Sequence, residues 1–190
     1  MVTETYYERD YEWPRKKSII SDRQVGAFGC SHTWGVSVNY NEAWPWLLNS
    51  NNFGLAGGST DFISRNLAQV IDNFSLKKIY ILYPSHTRFE YIKDGKIYQS
   101  LPTDRNRYKF REQNSEDWLV NNHRKNKEYI KKVCLKKQVE LLDFEFEYFH
   151  QYIDYPDKWP LAKDNMHYNH QWHQWVAEIL IQYEKTKHQT

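Results

Sequence analysis

Two short segments carry the residue types that acyl transfer needs. Phe28-Gly29-Cys30-Ser31-His32-Thr33-Trp34-Gly35 places a serine among small residues directly after a partly apolar run, Gln24 to Gly29. Asp164-Asn165-Met166-His167 places a carboxylate three residues ahead of an imidazole. A serine hydroxyl becomes an effective nucleophile when a neighbouring base takes its proton. Imidazole is suited to that task near neutral pH, and a carboxylate can fold back to orient the ring. If the serine opens a helix, the unpaired N–H groups of its first turn can also hold a developing oxyanion. Gly-x-Ser turns are common, and Asp164 alone would serve equally well as a helix cap. The pairing of the two segments, in this order, points to chemistry.

Three other readings use the same residues. Cys30 could itself act as a nucleophile, with His32 or His167 as its partner, but a residue just ahead of the turn points inward. His167, His170 and His173 recur every three residues after Asp164, a spacing that can serve metals. Three such steps drift around a helix, so a metal site ranks below the serine reading, whose chemistry needs no metal and no organic cofactor. Trp172 and Trp175 could face a sugar ring, but their spacing with Val176 and Ile179 favours core packing. Trp34, Trp44 and Trp46, near the serine turn, are the better candidates for lining a pocket.

These residues need a frame. Gln24 to Gly29 is predicted as the first core strand, with a short helix around Glu42 to Leu48 that holds Pro45 in its first turn. Asn52 to Ala56 is predicted as a second strand running into Gly57-Gly58. Ser59 or Thr60 then caps a helix with Ile63, Leu67, Val70, Ile71 and Phe74 on its apolar face. Lys78 to Tyr83 is continuously apolar after its lysine, as a parallel strand covered on both faces should be. Asp94-Gly95 between Tyr91-Ile92-Lys93 and Lys96-Ile97-Tyr98 is a hairpin signal. A helix over about Ser115 to Lys136, a strand over Val139 to Phe144 and a last helix through Trp172, Val176, Ile179 and Leu180 complete the series. Alternating strands and helices predict a three-layer α/β/α domain with a mainly parallel sheet. Its site belongs beyond the carboxyl ends of the strands.

At this point the chain resembles the SGNH (GDSL-type) hydrolase family. Gly29-Cys30-Ser31-His32-Thr33 matches the family's first block, and Asn52-Phe53-Gly54-Leu55-Ala56-Gly57 its Asn-x-Gly-x-x-Gly block. Asp164 to His167 matches Asp-x-x-His, with His173 and Ala177 following in the last helix. The blocks reach across nearly the whole chain beyond an N-terminal arm. The resemblance implies a flavodoxin-like domain and an esterase or acylhydrolase in which Ser31 is nucleophile, His167 general base and Asp164 its orienting partner. It also implies backbone N–H groups of Ser31 and Gly57 in the oxyanion hole. Short acyl esters, such as acetyl groups on a carbohydrate, are the implied substrate. Trp34 and Arg88 are expected to contact it.

Two departures qualify the match. Cys30 stands where the family usually has Asp. The third block, normally Gly-x-Asn-Asp after the third central strand, is replaced by Tyr83-Pro84-Ser85-His86-Thr87-Arg88-Phe89-Glu90. The missing oxyanion donor would come from Ser85, His86, Thr87 or Arg88, unless Arg88 and Glu90 simply pair with each other. The alternative function is a catalytically weak or inactive binding or structural module on the same fold.

The bulk numbers fit this picture. The 190 residues suit one domain, divided by expectation into a polar arm over 1–22 and a hydrolase-like domain over 23–190, with an insertion at about 84–114. Aromatics make up 17% of the chain although the mean hydropathy is −0.88, a combination that favours a folded domain over disorder. Twenty-six basic against 24 acidic residues give a net charge of +2, which makes no case for nucleic acid. The basic stretch Arg124 to Lys137 is expected to be the wet face of a helix. Two cysteines form no disulfide framework, no apolar run reaches membrane-spanning length, and Met1 to Lys17 is too polar for a signal peptide. A cytoplasmic location is the default expectation; oligomeric state is not legible.

Overall fold

The computed structural model describes residues 13–14, 16–20, 22–100, 115–146, 160–164 and 166–187. Most of the predicted arm, the second part of the predicted insertion, His150 and Asn165 lie outside the described residues.

Four strands form the central sheet: β1 (Val25–Gly29), β2 (Asn51–Asn52), β3 (Lys78–Tyr83) and β6 (Glu140–Glu145). A separate hairpin pairs β4 (Phe89–Lys93) with β5 (Lys96–Ser100). The central order is β2-β1-β3-β6 and every pairing in it is parallel. With the hairpin set aside, this is the 2-1-3-4 order of flavodoxin-like sheets.

Side chains alternate across a strand, and β3 uses both faces. Ile79, Ile81 and Tyr83 pack with Phe28, Ile63, Leu67 and Ile130 on one side, where α3 (Thr60–Phe74) and α4 (Glu116–Lys136) lie. Tyr80 and Leu82 face Trp44, Trp172, Val176 and Leu180 on the other, covered by α2 (Trp44–Leu47) and α5 (His170–Lys187). That is a three-layer α/β/α domain, and its near-continuous apolar β3 follows from having two covered faces. Each fully buried apolar side chain of this size contributes about 1.5–3 kcal/mol. No helix among the described residues is long and apolar enough to cross a membrane.

Local chemistry sets the element ends. Ser59 caps α3 by accepting from the Phe62 N–H at 3.3 Å, and Ser115 caps α4 by accepting from Trp118 at 3.3 Å. Glu116 and Asp117 sit in the first turn of α4 and Lys136 in its last, matching the helix dipole. Pro45 takes the first turn of α2, where a missing N–H costs nothing. Asp94 and Gly95 both hold positive φ, 50° and 74°, as a two-residue hairpin turn requires, and Tyr91 stacks on Tyr98 across it. Trp13 packs edge-on against Phe62 and donates to the Phe53 carbonyl.

Three expectations need correction. The second strand spans Asn51–Asn52, not Asn52 to Ala56. Phe53 and Leu55 still donate to the Ala27 and Gly29 carbonyls, but the Asn52 side chain accepts the Gly54 N–H and bends the chain away from regular strand geometry. Trp44 is fully buried and packs in the core with Tyr80, Val176 and Leu180. Trp46 is occupied by Tyr40, edge-on at 5.0 Å, and by the Arg23 guanidinium over its ring at 4.3 Å.

Candidate active site

β1 and β3 end level, with Gly29 opposite Leu82, so the residues after each share one carboxyl edge of the sheet. Beyond β1 the chain makes a single helical turn, α1 (Ser31–Trp34), with Ser31 as its first residue. The Cys30 carbonyl accepts the Thr33 and Trp34 N–H groups at 3.0 and 2.9 Å. Neither the N–H nor the hydroxyl of Ser31 has a hydrogen-bond partner among the described residues. A first-turn N–H is unpaired by helix geometry, which leaves it available to an oxyanion.

The segment after β2 wraps α1. Asn52 Nδ2 donates to the Thr33 carbonyl at 2.8 Å and to the Trp34 carbonyl at 3.3 Å, closing the carboxyl end of the short helix. Gly54 lies so close that a Cβ there would sit 2.5 Å from the Trp34 nitrogen. The chain then turns through Gly57, φ 77°, a conformation that glycine adopts without penalty. The Gly57 N–H also has no partner among the described residues.

The third segment is a narrow loop ahead of α5. Leu161 and Tyr168 form an antiparallel bridge, and Ala162 donates to the His167 carbonyl at 2.7 Å. Inside it Asp164 Oδ1 accepts the Met166 and His167 N–H groups, both at 3.0 Å, while Oδ2 meets His167 Nδ1 at 2.6 Å. Asp164 therefore both builds its own turn and orients the imidazole. It does not cap α5; Asn169 does, accepting the Gln171 N–H. With Nδ1 donating to the carboxylate, Nε2 is the nitrogen left to take a proton. The His167 ring packs against His32, the residue after Ser31, at 5.2 Å between centroids. His32 is itself stacked on Phe146 and flanked by Tyr168 and Trp172. No hydrogen bond joins the Ser31 hydroxyl to His167; such bonds are often long without substrate and tighten when it binds.

Burial acts to raise the Asp164 carboxyl, but hydrogen bonds from Met166, the His167 ring and backbone, and Ser37 outweigh it and hold it well below the usual carboxylate range. A depressed native pKa stabilises the fold fully above the unfolded aspartate value of about 3.9 and loses that contribution as pH falls below it. We expect the segment 160–168 to stay ordered down to about pH 4 and loosen below it. Hydrogen exchange across the acid range checks this, with Asp164→Asn removing the pH dependence.

At the end of β3, Ser85 Oγ and Thr87 Oγ1 bond each other at 3.1 Å, and His86 Nε2 meets Glu116 at 2.6 Å on the exposed side. Arg88 does not pair with Glu90, contrary to one expectation. Glu90 is held by Arg65 at 2.7 and 3.0 Å and by Gln99, because its strand packs on α3. Cys30 is buried, as its place before the turn implied. His173 is buried and its Nδ1 accepts the Trp44 N–H at 3.3 Å, while His170 is exposed at the start of α5. Among the described residues no three His, Cys, Asp or Glu side chains cluster as metal ligands would. Trp34 is half-buried beside Ser31 on α1, and Trp175 is partly buried against the core.

Three contributors had no signal in the sequence. Ser37 reaches Asp164 from a positive-φ turn, and His32 forms the contact between the serine turn and the Asp164–His167 loop. His123, on α4, bridges Thr60 Oγ1 at 2.8 Å and Glu145 at 3.4 Å, tying α3 to β6 beside the Gly57 turn.

No family model and no curated protein sequence matches the chain. Three solved structures to which it is similar are the psychrotrophic esterase EstA from Pseudoalteromonas sp., a two-domain esterase active on acetylated mannans, and LAE5, an alpha/beta hydrolase from the metagenome of Lake Arreo, Spain. The identities are 11%, 12% and 14%, with TM-scores of 0.47, 0.43 and 0.39. The matches cover 88%, 85% and 80% of this chain, and 100%, 48% and 90% of the respective partners. At these values the functional reading rests on the geometry of the site itself.

Proposed function

We propose that this chain is a serine esterase of SGNH type. The observation that carries the reading is the 2.6 Å contact between Asp164 Oδ2 and His167 Nδ1, in a loop packed against the helical turn that Ser31 opens. Ser31 Oγ attacks the ester carbonyl carbon while His167 Nε2 takes its proton. The oxyanion is held by the Ser31 and Gly57 N–H groups. The tetrahedral species expels the alcohol, which leaves with the proton from His167. Water, deprotonated by the same nitrogen, then releases the acid and restores the serine. Asp164 keeps the ring in one tautomer and offsets the positive charge that forms on it. The reaction needs no cofactor. A short acyl group, such as an acetyl on a carbohydrate hydroxyl, is the substrate we favour.

The test is turnover of p-nitrophenyl acetate by the purified chain, with a fluorophosphonate probe alongside. Hydrolysis and stoichiometric labelling that maps to Ser31 by peptide sequencing are expected. A folded protein that neither turns over nor labels would exclude the serine reading. A binding module, the alternative raised by the absent third-block Asn, would then lead.

A further inference from the structure

Arg88 lies between the carboxyl end of β3, the neighbour of the strand that leads into Ser31, and the start of β4, in a turn closed by the Arg88 N–H on the Ser85 carbonyl at 3.0 Å. Its Nε and Nη1 are buried, yet neither has a hydrogen-bond partner among the described residues. Three carboxylates on β4, α3 and α4 are engaged with other groups. Glu90 is held by Arg65 and Gln99, and Asp61 accepts from Asn122, Asn126 and the Glu90 N–H. Glu116 is held by His86. Guanidinium stays charged at any ordinary pH, and buried donors without acceptors are costly. An acceptor supplied by a ligand would answer these donors.

We propose that the substrate of this site carries an anionic group, a carboxylate, that seats on Arg88 while the ester lies at Ser31. The proposal rests on the serine-esterase reading for the bond cleaved, but the anion site itself stands on Arg88 alone. A neutral ester would leave the buried donors unanswered, so Arg88 would select against it. A carboxylate on the alcohol side and one on the acyl side both satisfy the chemistry, and matched esters separate them.

The experiment compares kcat/KM for 4-acetoxybenzoate against 4-acetoxybenzamide, and for p-nitrophenyl hemisuccinate against p-nitrophenyl butyrate. It uses the wild type, Arg88→Gln and Arg88→Lys. In one of the two pairs the wild type is expected to prefer the anion by roughly 10- to 150-fold, the range for hydrogen bonds to a charged group. Arg88→Gln collapses that ratio toward one, and Arg88→Lys, which keeps charge without the planar fork, retains part of it. An equal fall for both members of each pair in Arg88→Gln would instead make Arg88 an oxyanion donor and overturn the proposal. So would a wild type that hydrolyses the neutral esters as well as the anionic ones.

Binding keeps this separate from catalysis. Calorimetric titration of Ser31→Ala with the anionic ester that the wild type prefers, 4-acetoxybenzoate or p-nitrophenyl hemisuccinate, is expected to show saturable binding that Arg88→Gln in the same background abolishes. Binding without turnover in the wild type would sink the serine reading and leave the anion site standing. Stability supplies the last readout: without ligand, Arg88→Gln should melt no lower than the wild type, since it removes an unanswered charge. A clearly lower melting temperature would mean that Arg88 is a structural tie and would overturn the proposal.

Discussion

Ser31→Ala, His167→Ala and the variant carrying both substitutions are expected to lose kcat/KM toward p-nitrophenyl acetate by one common factor, on the order of 10³ or more. Nucleophile and base act as a unit, so removing the second after the first costs almost nothing further. On the proposed mechanism, what survives comes from oxyanion binding and positioning by the Ser31 and Gly57 N–H groups. Asp164→Asn should fall less than either, because the ring stays in place while its tautomer is no longer enforced. Asp164→Ala adds a second loss, since Oδ1 also holds the Met166 and His167 N–H groups at 3.0 Å and so shapes the turn. Steady-state kinetics with circular dichroism on each variant checks the set. Independent, multiplicative losses for Ser31 and His167, or a wild-type rate in either single variant, would separate the two residues and remove the dyad.

Most of the frame was legible because each signal had a local cause. The apolar run Lys78 to Tyr83 is continuous because layers cover both of its faces, and Asp94-Gly95 marks a hairpin because both residues must hold positive φ. Ser59, one of two cap candidates with Thr60, accepts a first-turn N–H of its helix, and the acidic start and basic end of the helix over 116–136 match its dipole. The serine turn and the Asp164 to His167 pair were likewise readable, since each depends on neighbours a few residues away. The misreadings involve partners distant in sequence. Arg88 and Glu90 looked like a pair, but Glu90 meets Arg65 only because the hairpin packs on α3. Trp44 looked like a pocket wall, and becomes core only when α5 docks Trp172, Val176 and Leu180 beside it. The contact that joins the serine turn to the Asp164–His167 loop, His32 on His167, lies between residues that no periodicity links.

Gly54→Ala tests whether the loop after β2 sets the position of the nucleophile. A Cβ at this residue would lie 2.5 Å from the Trp34 nitrogen and 2.9 Å from the Thr33 carbonyl carbon, both backbone atoms of α1. Backbone cannot rotate away as a side chain can, so α1 or the loop must shift. Overpacking of this kind costs about 1–3 kcal/mol, or roughly 2–12 °C of melting temperature for a domain of this size. The shift reaches chemistry because Asn52 ties the same helix through the Thr33 and Trp34 carbonyls, and Ser31 stands at its other end. A displacement near 1 Å at a nucleophile can cost about 10² in rate, so kcat should fall while KM moves little. Gly95→Ala is the control: nothing lies within 4 Å of its added Cβ, and the strain of its positive φ stays in the hairpin turn. It should lower stability by about 1 kcal/mol and leave kcat near the wild-type value. If Gly54→Ala instead loses stability alone, with kcat intact, α1 holds Ser31 in place independently of the loop, and the nucleophile is positioned by β1 and Cys30 instead.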